Sequence, residues 1–103
     1  MTIRFVEEAQ REFLDAIDYY EEARAGLGRR FKNEVDRCVL RIVDHPEQCA
    51  LRPGDYRRIN LRVFPYYIPF IVREQMLWVL AVAHSSRKPL YWISRRDTAP
   101  DVK

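Results

Sequence analysis

Residues 77–96 read LWVLAVAHSSRKPLYWISRR, an apolar strand that runs without a gap into a cluster of bases and aromatic rings. Residues 77–83 are apolar at both parities, which predicts a strand buried on both faces and interior to its sheet. That strand delivers His84, Arg87, Lys88, Tyr91, Trp92, Arg95 and Arg96 to one end of the sheet. Guanidinium forks match phosphate and flat rings stack on bases, so the patch suits an anionic or nucleic-acid-like partner. The alternative is that Tyr91 and Trp92 cover the sheet end while the arginines are solvated surface.

Upstream, residues 56–63 and 66–73 carry strand composition, and Glu74-Gln75 is short enough to turn the second of these into a strand over 76–84. Pro65 marks the bend after the first strand. Pro69 cannot donate to a ladder and predicts an edge position or a bulge. Val6, Ala9, Phe13, Ala16, Ile17, Tyr20 and Ala23 recur at three- and four-residue spacing, one face of a helix about five turns long. Glu8, Arg11, Glu12, Asp15, Asp18 and Glu22 fall on its opposite, solvated face. Gly26 and Gly28 break that helix. A second helix has Leu27, Phe31, Val35, Cys38, Val39 and Ile42 inward and stops at His45-Pro46. Arg30 with Glu34, and Lys32 with Asp36, are spaced for intrahelical pairs. With a short opening strand at Ile3 to Phe5, the order β-α-α-β-β-β predicts an α+β fold. Its sheet is small and largely antiparallel, with an N-terminal antiparallel helical hairpin packed on one face.

A chain of 103 residues with 48% hydrophobic content fits one compact domain over 1–103. Its net charge of +3 is unevenly spread. Residues 1–50 hold eight Arg/Lys against eleven Asp/Glu, and residues 51–103 hold ten against four. The positive half contains the aromatic-basic cluster, which favours an acidic protein or a nucleic acid as partner. The longest apolar run, 76–83, is far short of the roughly 20 residues that span a bilayer as a helix. The acids in MTIRFVEEAQ replace the apolar core of a signal peptide, so a cytoplasmic, membrane-free protein is expected. Cys38 and Cys49 have no metal-ligand spacing, so neither a metal nor a cofactor is expected. Cys38 reads as a buried hydrophobe and Cys49 as a partly exposed loop thiol.

YYEE in the first helix, GLGRRF opening the second, HPE after it, the strands RRINL and FPYYI, and VLAVAH followed by SSRKPLYW together resemble the RelE/ParE superfamily of bacterial toxins from type II toxin-antitoxin modules. The resemblance runs from Ile3 to Arg95 and is closest to the ParE-like branch, sometimes labelled plasmid stabilisation proteins. It implies a toxin neutralised by a cognate antitoxin. ParE-like members are associated with inhibition of DNA gyrase, and RelE-like members with cleavage of messenger RNA on the ribosome.

Ribonucleases of the superfamily use several basic residues with an arginine and a tyrosine near the C-terminus, which stabilise a phosphorane by charge. Arg58 and Tyr91 match that pattern, whereas Asn60, Tyr67 and Ser85 stand uncharged where cations are required. An alternative catalytic set is His84 with Arg58, Arg62, Arg87 and Tyr91. The ParE-like reading instead makes Arg58, Arg62, Arg87, Tyr91, Trp92 and Arg95 target contacts without catalysis. A third reading is an inactive member that acts only in its antitoxin complex. Leu14, Tyr19 and Leu40 lie off the inward stripes and are candidates for antitoxin contact.

Overall fold

The computed structural model describes residues 1–99. The chain opens with β1 (Thr2–Phe5), then forms α1 (Glu7–Ala23) and α2 (Leu27–Asp44). A 3-10 turn at Pro46–Gln48 leads by a loop to β2 (Arg57–Asn60), β3 (Tyr66–Arg73), β4 (Met76–Val79), β5 (Ala83–His84) and the single turn α3 (Arg95–Thr98). The sheet order is β1-β4-β3-β2, with β5 pairing on β3 beyond the end of β4. β1 runs parallel to β4 and the other pairings are antiparallel, so the fold is the expected α+β arrangement on a mixed, open sheet.

The two helices meet across the glycines that separate them. Gly26 adopts φ +87°, where a side chain is strained. At Gly28 a Cβ would lie 2.5 Å from the Ile17 carbonyl oxygen, so only glycine lets α2 approach α1 this closely. The Glu21 carboxylate accepts the N–H groups of both glycines, at 2.9 and 3.0 Å, and so satisfies donors at the start of α2. The inward stripes then join in an aromatic cluster. Phe31 packs 5.3 Å from Tyr20, 5.1 Å from Phe64 and 4.9 Å from Tyr66 between ring centroids, fixing the hairpin to one face of the sheet. Ala23 ends its stripe exposed.

The opposite face is covered by the segment after β5. Trp92 is fully buried there, 4.7 Å from Tyr56 and 6.3 Å from Tyr67 between ring centroids, and its Nε1–H donates to Tyr67 Oη at 2.9 Å. Arg73 donates to the carbonyls of Arg96 and Ala99, tying the end of this strap to β3. Burial on both faces explains why residues 77–83 are apolar at both parities.

Two expected strands are shorter than their composition implies. The strand expected over 56–63 stops at Asn60, because the backbone N–H groups of Arg62 and Val63 turn to the Glu34 carboxylate. The strand expected over 76–84 breaks at 80–82, opposite Pro69. Pairing of Phe70 with Val79 and of Tyr67 with Ala83 leaves two residues of β3 facing three on the other strand, which is a β-bulge. Pro69 therefore sits in the interior strand β3 rather than at an edge, and the bulge is what permits it.

The β3–β4 hairpin places Glu74 at φ 49° and Gln75 at φ 67°, a two-residue turn with both central residues left-handed and no glycine. Replacing the pair with Asn-Gly should stabilise the protein by about 1 kcal/mol. Urea denaturation checks this, and an unchanged or lowered midpoint contradicts it.

Candidate functional site

Pro69 creates the site's first demand. Leu80 N–H donates to the Pro69 carbonyl at 2.9 Å. In an antiparallel ladder such a bond is one of a reciprocal pair, and proline has no N–H to return it. The Leu80 carbonyl takes its donor from Arg95 instead, Nη1 lying 3.1 Å away. On the other side β1 pairs no further than Val79, and within the bulge Val82 N–H donates to Glu12 Oε1 at 3.1 Å.

Glu12 thereby becomes the centre of a cluster. Its carboxylate also receives Arg95 through both terminal nitrogens, at 2.9 and 3.1 Å, Tyr91 Oη at 2.8 Å and Arg87 Nη1 at 3.4 Å. The side chains of Glu12 and Arg95 are only 17% and 15% exposed, so this bidentate pair is held largely out of water. Arg87 is 54% exposed and its guanidinium lies 3.7 Å from the Tyr91 ring centroid. The assignment of Glu12 to a solvated helix face is thus corrected: the residue ties α1 to the bulge and to the C-terminal strap. Burial, then the hydrogen bond to Glu12 and its charge, hold the Tyr91 hydroxyl well above the ordinary tyrosine range, against the opposing pull of Arg87 and Arg95. Tyr66 is pushed up to about 12, first by burial and then by Tyr20.

The remaining expected site residues divide between places. Arg58 and Arg62 line a shallow depression of about 360 Å³ with Asn60, Pro65 and Ser85. Arg58 stacks 4.4 Å from the Tyr67 ring centroid, and its buried Nε has no hydrogen-bond partner among the described residues. Arg62 lies in the turn rather than in a strand, and is exposed. His84 is half-buried, edge-on to Tyr66 at 5.0 Å, and its Nδ1 accepts the Ser86 N–H at 3.0 Å. An Nδ1 that accepts a backbone bond leaves the neutral ring's proton on Nε2. Trp92, expected as a target contact, is corrected to a core residue, because full burial leaves it no surface to offer. Arg87, Tyr91 and Arg95 are brought together, though around a carboxylate.

Leu14, Tyr19 and Leu40 are all exposed. Leu14 lines an open groove of about 610 Å³ between β1 and α1, with Ile3 and Phe5. Tyr19 and Leu40 lie elsewhere on the helices. Glu34, spaced for a pair with Arg30, is buried and accepts the turn N–H groups of Arg62 and Val63 instead, while Lys32 does pair with Asp36 at 2.7 Å. Cys38 is buried and Cys49 half-buried; both are free thiols raised above the ordinary range by burial. Among the described residues no cluster of His, Cys, Asp and Glu is placed to hold a metal, and no helix is long and apolar enough to cross a membrane.

A helical hairpin on a small mixed sheet, closed on its other face by a basic strap, is the class of domain these elements define. Residues 3–89 match the family model described as the ParE toxin of the type II toxin-antitoxin system parDE, and the chain belongs to that family. It is 30% identical over 79 residues to Toxin ParE2 of Mycobacterium tuberculosis strain CDC 1551 / Oshkosh, covering 76% of this chain and 75% of the relative. The same figures hold for Toxin ParE2 of strain H37Rv. The solved chromosomal ParDE TA system from P. aeruginosa superposes with a TM-score of 0.71 at 19% identity, covering 82% of this chain and 95% of that one, a likeness of fold.

Glu12→Gln keeps an acceptor but removes the charge, so Tyr91 should ionise at lower pH than in the wild type, read from tyrosinate absorbance. The folded state holds this proton above the free-tyrosine pKa of about 10, and the unfolded chain releases it first. Wild-type stability should therefore fall as pH rises past about 10, and the variant should show a shallower fall. A tyrosinate titration identical in the two proteins contradicts the cluster.

Proposed function

We propose that this chain is the toxin of a type II toxin-antitoxin pair and that it acts by binding DNA gyrase, not by cutting RNA. Family membership supports the toxin reading. The observation that carries the choice of mechanism is the Glu12 carboxylate in the middle of the basic cluster. A ribonuclease of this superfamily needs cations free to meet a phosphate, and a carboxylate at their centre both occupies Arg95 and Tyr91 and repels an incoming phosphate. His84 Nδ1 accepts the Ser86 N–H, and Asn60 and Ser85 add no charge beside Arg58 and Arg62. Each lost cation costs on the order of 10²-fold in such a mechanism.

A binding poison makes no such demand. Arg87 and Arg62 project from the surface and are the contacts we assign to the target, with Arg58 behind them; Arg95 and Tyr91 hold the strap that presents Arg87. The ParDE TA system from P. aeruginosa supports an antitoxin partner here, and Leu14 in the groove beside edge strand β1 is the contact we assign to it. A cytoplasmic site of action follows from this target.

Expression without antitoxin should arrest growth, and purified protein should inhibit gyrase supercoiling or trap cleaved DNA. Arg87→Glu should reduce both effects by about tenfold or more, while His84→Gln should retain them. Cleaved messages on ribosomes with normal supercoiling would move His84 and the arginines into a catalytic site, and healthy growth with folded protein present would leave an inactive family member.

A further inference from the structure

The outer face of α2 carries a second basic surface, remote in sequence from the strap. Two hollows, about 260 and 560 Å³, share Glu34, Arg37 and Val63 and so form one continuous groove between α2 and the β2–β3 turn. Arg30 lies at one end, and Arg41 and Arg62 at the other. None of these four guanidinium groups makes a hydrogen bond or ion pair among the described residues. The single acid in the groove, Glu34, is engaged with the backbone N–H groups of Arg62 and Val63. The groove therefore combines four free cations with one exposed apolar side chain, Val63, which is 70% exposed.

We propose that this groove docks an acidic segment of a partner protein, with carboxylates on Arg37, Arg41 and Arg62 and one apolar side chain against Val63. The charge balance selects an anionic occupant. Peptide is favoured over nucleic acid because the groove has no free ring to stack a base: its one aromatic, Phe64, is buried against Tyr20 and Phe31. Arg37 and Arg41 are one helical turn apart, about 6 Å along the axis, close to the spacing of alternate residues in an extended chain. The groove shares Arg62 with the proposed gyrase contact, but the inference rests on Arg37 and Arg41, which that contact does not use.

The probe is a labelled nonapeptide with Glu at alternate positions, Ser between them and one central Ser replaced by Leu, titrated against the full chain by fluorescence anisotropy. Arg37→Glu with Arg41→Glu should weaken binding about tenfold or more. Arg4→Glu with Arg24→Glu makes the same change in net charge at exposed positions outside the groove, and should alter binding less than about twofold. Arg37→Gln with Arg41→Gln should give an intermediate loss, and keeps the test intact if charge reversal unfolds α2. Equal losses in the two Glu pairs, or no binding by the wild type, would overturn the proposal. Tighter binding of an oligothymidylate of equal charge would also overturn it and assign the groove to nucleic acid.

Discussion

A missing N–H organises this molecule. Pro69 stands in an interior strand, where each residue is expected to exchange bonds with its neighbour, and it can return none to Leu80. The ladder bulges at 80–82, and the polar groups at the bulge find partners outside the sheet. Arg95 meets the Leu80 carbonyl, Glu12 meets the Val82 N–H, and the two side chains meet each other. One backbone defect thus joins helix, sheet and C-terminal strap at a single point. A buried polar group without a partner costs about 1–3 kcal/mol, which is why the repair is as extensive as the defect.

The same device recurs where β2 ends. Glu34 from α2 takes two N–H groups just after β2, as Glu12 from α1 takes the one at Val82 in the bulge. Each carboxylate belongs to a helix and serves a strand that has lost its neighbour. The consequence for function is a division of the basic residues. Arg95 and Tyr91 are engaged in holding the strap and Arg87 reaches the edge of the same carboxylate, whereas Arg62 and the α2 residues Arg30, Arg37 and Arg41 make no ion pair among the described residues. In a ParE-family toxin that division favours recognition by surface charge over chemistry at a phosphate.

Much of this was legible in the sequence. The helical stripes, β3 from Tyr66 to Arg73 and the Glu74-Gln75 hairpin follow from periodicity and turn length, because they depend on neighbours close in the chain. Pro69 announced the bulge, but the unbroken apolar run over 76–83 hid where the strand would break. Periodicity assigns Glu12 to solvated surface and Glu34 to an intrahelical pair, whereas the structure turns both carboxylates to backbone N–H groups. Their partners lie 70 and 28 residues away, and helix periodicity carries no information at that range. Trp92 has two readings in the sequence, target contact or cover for the sheet, and the burial of its ring against Tyr56 decides for the second.

The clamp between Glu12 and Arg95 is tested most directly by a double-mutant cycle, Glu12→Ala and Arg95→Ala singly and together, read by urea denaturation. A part-buried bidentate pair that also serves the bulge predicts a coupling of about 2 kcal/mol, with either single variant almost as unstable as the double. A coupling below about 0.5 kcal/mol, the range of an exposed ion pair, would mean that the bulge and strap are held by something else.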